Sequence, residues 1–457
     1  VTSQIWSEPA PATRTRGIEI AAFAFSVFIF LTYSEIWVSP LIGDKVDEAS
    51  SALVRNLYFP AYFAGLFLLA LRPGESLMGM ARQPFLLALL AIAGASTLWS
   101  VAPDQTFRRE VALVFTTLSG VIIGVRWRWP TLVEAIATAF AVLAILSLFA
   151  GLALPDVGRM EDIFPGAWRG FWPEKNTFGG MMVFALLAFA AAALLRPRRA
   201  PLWWSMAALA VLLILLSTSK TSLVALGLGV AALGFVLLVR RGGAISVVAV
   251  YAGVIGAAGL AAAIMLAPDV FLALLGKDAT LTGRTKIWEA ILRLIHQRPW
   301  LGYGYAAVWS DTSGQGPLAW IVKQAGYKPD HAHNGWLEQW LGMGLLGLAA
   351  WALCFLTAFI QSLWSVFSRR GALFAFPIMV VYALMILSES IALAYNDLRW
   401  VLFVIVAARL STPEREPGLD DIRIERRAIE PQGQIAQPQR GAFSEPQRSK
   451  HWPPDPL

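Results

Sequence analysis

The stretch 330–348, "DHAHNGWLEQWLGMGLLGL", decides how this chain is read. Its second half is apolar residues and glycine, which opens a long hydrophobic helix. Its first half puts Asp330, His331 and His333 at that helix's entrance, although the whole chain has four histidines. Asn334 stands where a helix N-cap is expected, because its side chain can accept the first free backbone N–H groups. Two imidazoles beside a membrane-length helix call for either a structural or a chemical reason.

Working outward, the chain of 457 residues is 57% hydrophobic and only 15% charged, too apolar for an ordinary soluble domain. Apolar runs long enough to cross roughly 30 Å of hydrocarbon recur along it. They predict an all-α polytopic membrane protein with about 12 transmembrane helices, near 18–38, 57–71, 84–99, 110–125, 131–152, 176–195, 202–217, 222–239, 244–266, 334–360, 372–393 and 398–410. The first run lacks a following small-residue cleavage site and reads as a retained helix. Alternate loops are basic ("RPGESLMGMARQ", "RWRWP", "RPRRAP", "RRGG", "SRRG") while their opposites carry mixed charge. The positive-inside rule then puts both termini in the cytoplasm. The net charge of +7 is accounted for by topology, so no nucleic-acid partner is expected.

The segments predict a cytoplasmic N-terminus over 1–16, a membrane domain over 17–410 and a disordered cytoplasmic tail over 411–457, rich in Pro, Gln, Glu and Arg. One external loop, 267–333, is far longer than the usual connection. Within it "RTKIWEAILRLIHQ" (284–297) gathers Ile287, Ile291, Leu294 and Ile295 on one helical face, an amphipathic helix expected to lie on the membrane surface. Pro299 ends it, and "WLGYGYAAVW" follows with aromatic residues, Tyr303 among them, suited to an interface or a sugar. Cys354 is the sole cysteine and reads as a small core residue, which excludes disulfides and cysteine metal sites within the chain.

The middles of the spans are nearly free of charge, and polar residues gather at external helix ends. That argues against a transporter, which needs polar groups along a path through the membrane. Lys220, in "STSKTS", lies between two spans, with Ser217, Ser219, Thr221 and Ser222 around it and a helix start behind it. This is a candidate phosphate site, the alternative being a snorkelling lysine. Arg284 opens the amphipathic helix with Trp288 one turn on; a guanidinium matches two phosphate oxygens of a diphosphate or pairs with a lipid headgroup. In "PEKNTFGG", Asn176 or Thr177 is the expected N-cap of another span, and Lys175 and Asn176 are candidate substrate contacts. Glu389 is expected inside the eleventh span, where an intramembrane carboxylate is a candidate substrate contact, the alternative being packing against Arg399 or a nearby hydroxyl. His331-x-His333 has a recurrent metal-ligand spacing, but no third ligand of comparable quality is evident and Glu338 is expected well inside the helix. No metal and no cofactor are therefore expected. A histidine titrating near neutrality can instead take a proton from an attacking hydroxyl, a role that suits His333, the one nearer the helix.

Taken together in this order, "PEKNTFGG", "STSKTS", "GRTKIWEAILRLIHQRPWLGYGYAAVW" and "HAHNGWLEQWLGMGLLGL" make the chain resemble the O-antigen ligase and Wzy-type polysaccharide polymerase superfamily, and within it the exopolysaccharide-production polymerases. The resemblance covers roughly Gly17 to Leu410. It implies a GT-C-like glycosyltransferase of the bacterial inner membrane, with its active site facing the periplasm. The implied donor is an undecaprenyl-diphosphate-linked glycan and the implied acceptor a polysaccharide, with membrane lipids around and chain-length or export proteins as further partners. By motif, the family's essential cations and histidine map onto Lys220, Arg284 and His333, with His331 and Asn334 orienting the base and Ser219 and Thr221 beside the diphosphate. Where many relatives carry arginine after Ser-x-Ser, this chain has Lys220, a point charge without the bidentate fork. The resemblance implies polymerisation of repeat units, with ligation of finished polymer to a lipid or protein acceptor as the alternative.

Overall fold

The computed structural model describes residues 13–42, 48–161, 164–266, 284–311 and 313–413. The start of the N-terminus, the first part of the long loop and nearly all of the expected tail lie outside the described residues. Among the described residues every regular element is helical, apart from one isolated antiparallel bridge between Arg159 and Trp168. A helix stands at each of the segments expected to span. They are α1 (Thr13–Tyr33), α2 (Phe59–Leu71), α3 (Pro84–Ala95), α4 (Pro103–Arg126), α5 (Trp129–Ala153), α6 (Lys175–Leu195), α7 (Ala200–Leu216), α8 (Lys220–Val239) and α9 (Gly243–Leu266). After α10 (Arg284–Gln297) and α11 (Pro317–Ala325) come α12 (Gly335–Ser365), α13 (Ala372–Met385) and α14 (Leu398–Ser411).

Eight helices are long and apolar enough to cross a membrane, and a pair bent by 83°, Pro73–Ala81 with Pro84–Trp99, makes a ninth if it is one span. α13 is a shorter apolar helix. Length and composition alone therefore do not carry the expected count to twelve, but they do make a multi-pass membrane protein. α6 is the axis of the bundle, with 89% of its apolar window buried, whereas α9 lies at the periphery with 6% buried.

Hydrogen bonds define two ends of the bundle. At one, Arg72 and Arg126 both reach Glu19 at 3.1 Å. At the other, Trp172 Nε1 donates to the Ser34 carbonyl at 2.8 Å, and the Tyr62 hydroxyl to Asn396 Oδ1 at 2.7 Å. Trp99 Nε1 there donates to the Leu301 carbonyl at 2.7 Å. The long-loop helices and the caps Ser219, Asn334 and Asp397, whose side chains accept backbone N–H groups, belong to this second end.

Two expectations about the long loop are corrected. The apolar face of α10 does not lie free for the membrane. Ile287, Ile291, Leu294 and Ile295 are buried against Ile321, Ala325, Val308, Ala332 and Leu341 in a small core of their own, so the amphipathic pattern is satisfied by protein. Nor is α12 one continuous helix from residue 335, because it breaks at Gly344, where φ is 66°. Residues 299–304 run against the break. The Leu345 N–H donates to the Pro299 carbonyl at 2.8 Å, Tyr303 N–H to Leu341 at 3.0 Å and Gly304 N–H to Gly342 at 2.8 Å. Freed backbone groups near an apolar bundle must find such partners. The glycines of "GYG" and "GMG" are what let the two backbones approach. Glu338 thus sits on a short helical segment before the break, among the loops, and not deep in a span.

A methyl group on Gly344 would lie 2.2 Å from the Trp300 carbonyl, in a left-handed conformation besides. Gly344→Ala is predicted to lower stability by about 1–3 kcal/mol from the backbone conformation alone, since its positive φ with extended ψ is essentially a glycine region. Gly256, on α9 with open space around it, is predicted to accept alanine silently. Thermal unfolding of the detergent-solubilised chain checks this; equal midpoints for the two variants would remove the constraint.

Candidate functional site

The polar side chains that matter are brought together by a loop, 386–397, between α13 and α14. Its carbonyls are bonded in succession by groups from elsewhere. Gly335 N–H donates to Ile386 at 2.7 Å, Arg284 Nη1 to Ser388 at 2.7 Å, the Tyr382 hydroxyl to Ile391 at 3.0 Å and Gln339 Nε2 to Ala392 at 2.9 Å. The Tyr305 hydroxyl then donates to Leu393 at 2.5 Å. Glu389 therefore lies past the end of α13 in a held loop, which corrects its expected place inside a span. Arg399 is not its pairing partner either: the Arg399 Nε lies 3.0 Å from both oxygens of Asp397.

Glu389 stands between a cation and an imidazole. Arg284 Nη2 is 3.6 Å from its Oε1, and His333 Nδ1 is 3.6 Å from its Oε2. The second distance is that of an ion pair and exceeds a hydrogen bond, and His333 Nδ1 has no hydrogen-bond partner among the described residues. Burial works to raise the Glu389 carboxyl, but His333, the Arg284 guanidinium and His331 outweigh it and bring it down to about 2. The carboxylate is ionised at neutral pH.

The two histidines are not equivalent. Their ring centroids are 4.0 Å apart, edge to face. The backbone N–H of His333 donates to His331 Nδ1 at 3.2 Å. A neutral imidazole accepting at Nδ1 carries its proton on Nε2, so the tautomer of His331 is set by the chain. Burial, then the neighbouring His333, push the His331 ring down to about 4. His333 itself sits at φ 52°, in the left-handed region. Among the described residues, the other non-glycine residues at positive φ, Glu35, Thr218, Ala306, Leu393 and Asn396, all lie in loops at this end of the bundle. Such strained positions cluster where surrounding structure over-determines them.

Glu389 supplies the third ligand that the sequence reading lacked. Ligand atoms of His331, His333 and Glu389 lie within 4.8 Å of one another. The donor set fits a metal poorly, however. The lone pair of His331 Nδ1 already accepts a backbone N–H, its other nitrogen carries a proton, and the Arg284 guanidinium opposes a second cation at Glu389.

The lysine hairpin forms a second cationic patch. Ser219 caps α8 by accepting the Ser222 N–H at 3.3 Å, and its hydroxyl donates to Asn176 Oδ1 at 2.8 Å. Asn176 therefore braces the hairpin and does not cap its own helix, where Glu174 holds the cap position. Lys175 Nζ lies 3.4 Å from the Thr218 hydroxyl and 3.6 Å from the Phe164 ring centroid. Lys220 is exposed and Thr221 buried. Thr177, next to Asn176, shares a small polar pocket with Tyr33, Ser34, Glu35, Trp172, Met181, Asp397 and Arg399. The lining of this pocket brings Thr177, two residues from Lys175, together with Asp397, at the end of the loop that carries Glu389.

Three sequence candidates turn out to have structural partners. Tyr303 is buried and its hydroxyl donates to the Leu294 carbonyl at 3.0 Å, inside the loop core. Trp288 donates from Nε1 to the Ala332 carbonyl at 2.8 Å, which ties α10 to the histidine loop. Asn334 caps α12, accepting from Trp336 and Leu337 at 2.9 and 3.1 Å. Glu35 and Asp397 were missed as members of the polar end, Arg399 having been read only as a partner for Glu389, and for Asp397 a local signal existed. The available signal was the density of polar residues in "SESIALAYNDLRW", which a hydropathy window absorbs into a span.

Residues 205–352 match the family described as O-antigen ligase. This stretch contains Lys220, Arg284, His331 and His333 but not Glu389. The chain is also 28% identical over 363 residues, 75% of this chain and 76% of the relative, to the exopolysaccharide production protein ExoQ of Rhizobium meliloti (strain 1021).

The His331 ring titrates lower in the fold, at about 4, than in an unfolded chain, at about 6.5. Acid must therefore favour unfolding: its contribution is full above pH ~6.5 and is lost as pH falls toward 4. Glu389, depressed to about 2, adds to the loss only below the ordinary carboxylate range. The unfolding midpoint is predicted to drop between pH 6.5 and 4, and less steeply in His331→Gln. Parallel curves for the two proteins would exclude the ring as the source.

Proposed function

We propose that this chain, a polysaccharide-related multi-pass membrane enzyme carrying an O-antigen ligase domain, polymerises exopolysaccharide. It takes a glycan from an undecaprenyl diphosphate carrier and joins it to a sugar hydroxyl at the periplasmic face of the inner membrane. The observation that carries the reading is the meeting of Arg284, Glu389 and His333 at one end of the bundle, the end where the Ser219 cap also places the start of the Lys220 helix. The positive-inside loops support placing that end outside the cytoplasm.

In this reading Glu389 faces His333 Nδ1 and favours the tautomer whose Nε2 is free, the logic by which a carboxylate orients a catalytic imidazole. His331 cannot take that part, since its Nδ1 accepts from the backbone. His333 removes the acceptor proton as the acceptor oxygen attacks the anomeric carbon. The bond from that carbon to the diphosphate oxygen breaks, and the carrier diphosphate leaves with the electron pair, giving inversion. Lys220 and Lys175 attract the diphosphate and stabilise the charge it gains. Arg284 has one arm on the Ser388 carbonyl and another toward Glu389, so it contributes positive field and holds Glu389. Protein cations do the electrostatic work, and no metal is required. Ligation of finished polymer uses the same chemistry; the match to the ligase family favours it, while the likeness to an exopolysaccharide production protein favours polymerisation.

Full-length protein in liposomes with a lipid-linked oligosaccharide is predicted to elongate glycan, and His333→Ala or Arg284→Ala to reduce elongation by at least ~10²-fold, the scale of a lost general base, with the protein still inserted. Full activity in His333→Ala would rule out its role. A chelator is predicted to leave the rate unchanged, and metal-reversible inhibition would contradict the proposed chemistry. Gene deletion should accumulate single repeat units on the carrier; finished chains there would establish a ligase instead.

A further inference from the structure

We infer that Glu338 is a positioning residue for the histidine pair, an inference that rests on the glycan-transfer reading for its consequence in turnover. Its carboxylate is shared by three donors from separate segments. Trp309 Nε1 donates to Oε1, while the Ala332 N–H at 2.9 Å and the Ser390 hydroxyl at 3.0 Å donate to Oε2. A carboxylate accepts without donating and offers about four lone-pair sites, so it satisfies all three at once. Ala332 is the residue between His331 and His333, and Ser390 is the residue after Glu389. One side chain therefore fixes the spacing between the histidine loop and the loop of the carboxylate that faces His333.

The grip on Ala332 is two-sided. Its N–H goes to Glu338 and its carbonyl accepts from Trp288 Nε1 at 2.8 Å. A residue held at both backbone groups cannot rotate its peptide planes independently, and this keeps the next residue, His333, in its left-handed conformation at φ 52°. The His331 Nδ1 contact to the His333 N–H then follows from the same loop geometry. Glu338 touches neither ring, so it acts through the backbone. The break of α12 at Gly344 is what lets a residue of this helix reach three loops.

A glutamine at 338 must present an amide N–H₂ to at least one of these donors. In Glu338→Gln with its oxygen retained toward Ala332 and Ser390, the amide faces Trp309 Nε1, and Trp309→Phe removes that opposed donor. The test uses the full chain in detergent and in liposomes. Carbethoxylation of His331 and His333 by diethyl pyrocarbonate, read by mass spectrometry, reports loop order without reference to activity. Glu338→Gln is expected to speed modification at least about threefold and the double variant to return it toward wild type. Elongation turnover is expected to fall roughly 10- to 100-fold, the scale of an ångström-level misplacement, with KM for the lipid-linked oligosaccharide within about twofold. Ser390→Ala, which removes one donor and leaves the carboxylate, is expected to move both readouts the same way by a smaller factor. Unchanged carbethoxylation in Glu338→Gln and Ser390→Ala would overturn the positioning role. So would a raised KM at unchanged kcat. Absence of glycan transfer by the wild-type protein would overturn the transfer reading instead, while the modification rates still decide the role of Glu338.

Discussion

The site end of this molecule depends on one constraint: the loop 386–397 leaves the helical regime beside an apolar bundle, and its backbone carbonyls must find donors. They find them in Gly335, Arg284, Tyr382, Gln339 and Tyr305, drawn from the long loop, α12 and α13. Unpaired backbone groups in such surroundings are costly, so these contacts fix where the loop goes and Glu389 with it. Once Glu389 is fixed, its charge draws Arg284 and His333 to opposite sides of it. The arrangement of these three side chains is therefore a consequence of backbone satisfaction.

A second dependence runs through glycine. The segments 299–304 and 341–346 pair across the break in α12, at separations that only residues without a side chain allow at Gly302 and Gly344. The pairing converts the entrance of a membrane helix into a short, loop-bound helix. It also gives the apolar face of α10 a protein surface to cover. The amphipathic signal was real, since one face is buried and the other exposed. Its partner, however, is the core formed with α11 and the start of α12.

The two cationic patches divide the electrostatic work differently. Arg284 is buried and spends its hydrogen bonds within the protein, whereas Lys220 is exposed at the start of a capped helix. An exposed ammonium on a flexible stem suits capture of an incoming anion, and a buried guanidinium suits holding a carboxylate in place. A small pocket joins Thr177, beside the lysine hairpin's Asn176 brace, to Asp397 and Arg399 at the end of the Glu389 loop.

By itself the sequence determined the helical, membrane-embedded class and the position of nearly every apolar helix, and it singled out Lys220, Arg284 and His333 as candidates. Those properties reside in local apolar run length and in short motifs, both readable without contacts. What only the tertiary structure decided is how those residues relate. Glu389 read as part of a span because a hydropathy window averages "SESIALAYND" into its apolar neighbours, and Glu338 read as helix interior because the break at Gly344 depends on pairing with the distant segment 299–304. The difference between His331 and His333 was equally invisible: it comes from one backbone N–H and one carboxylate brought in from a loop more than fifty residues away.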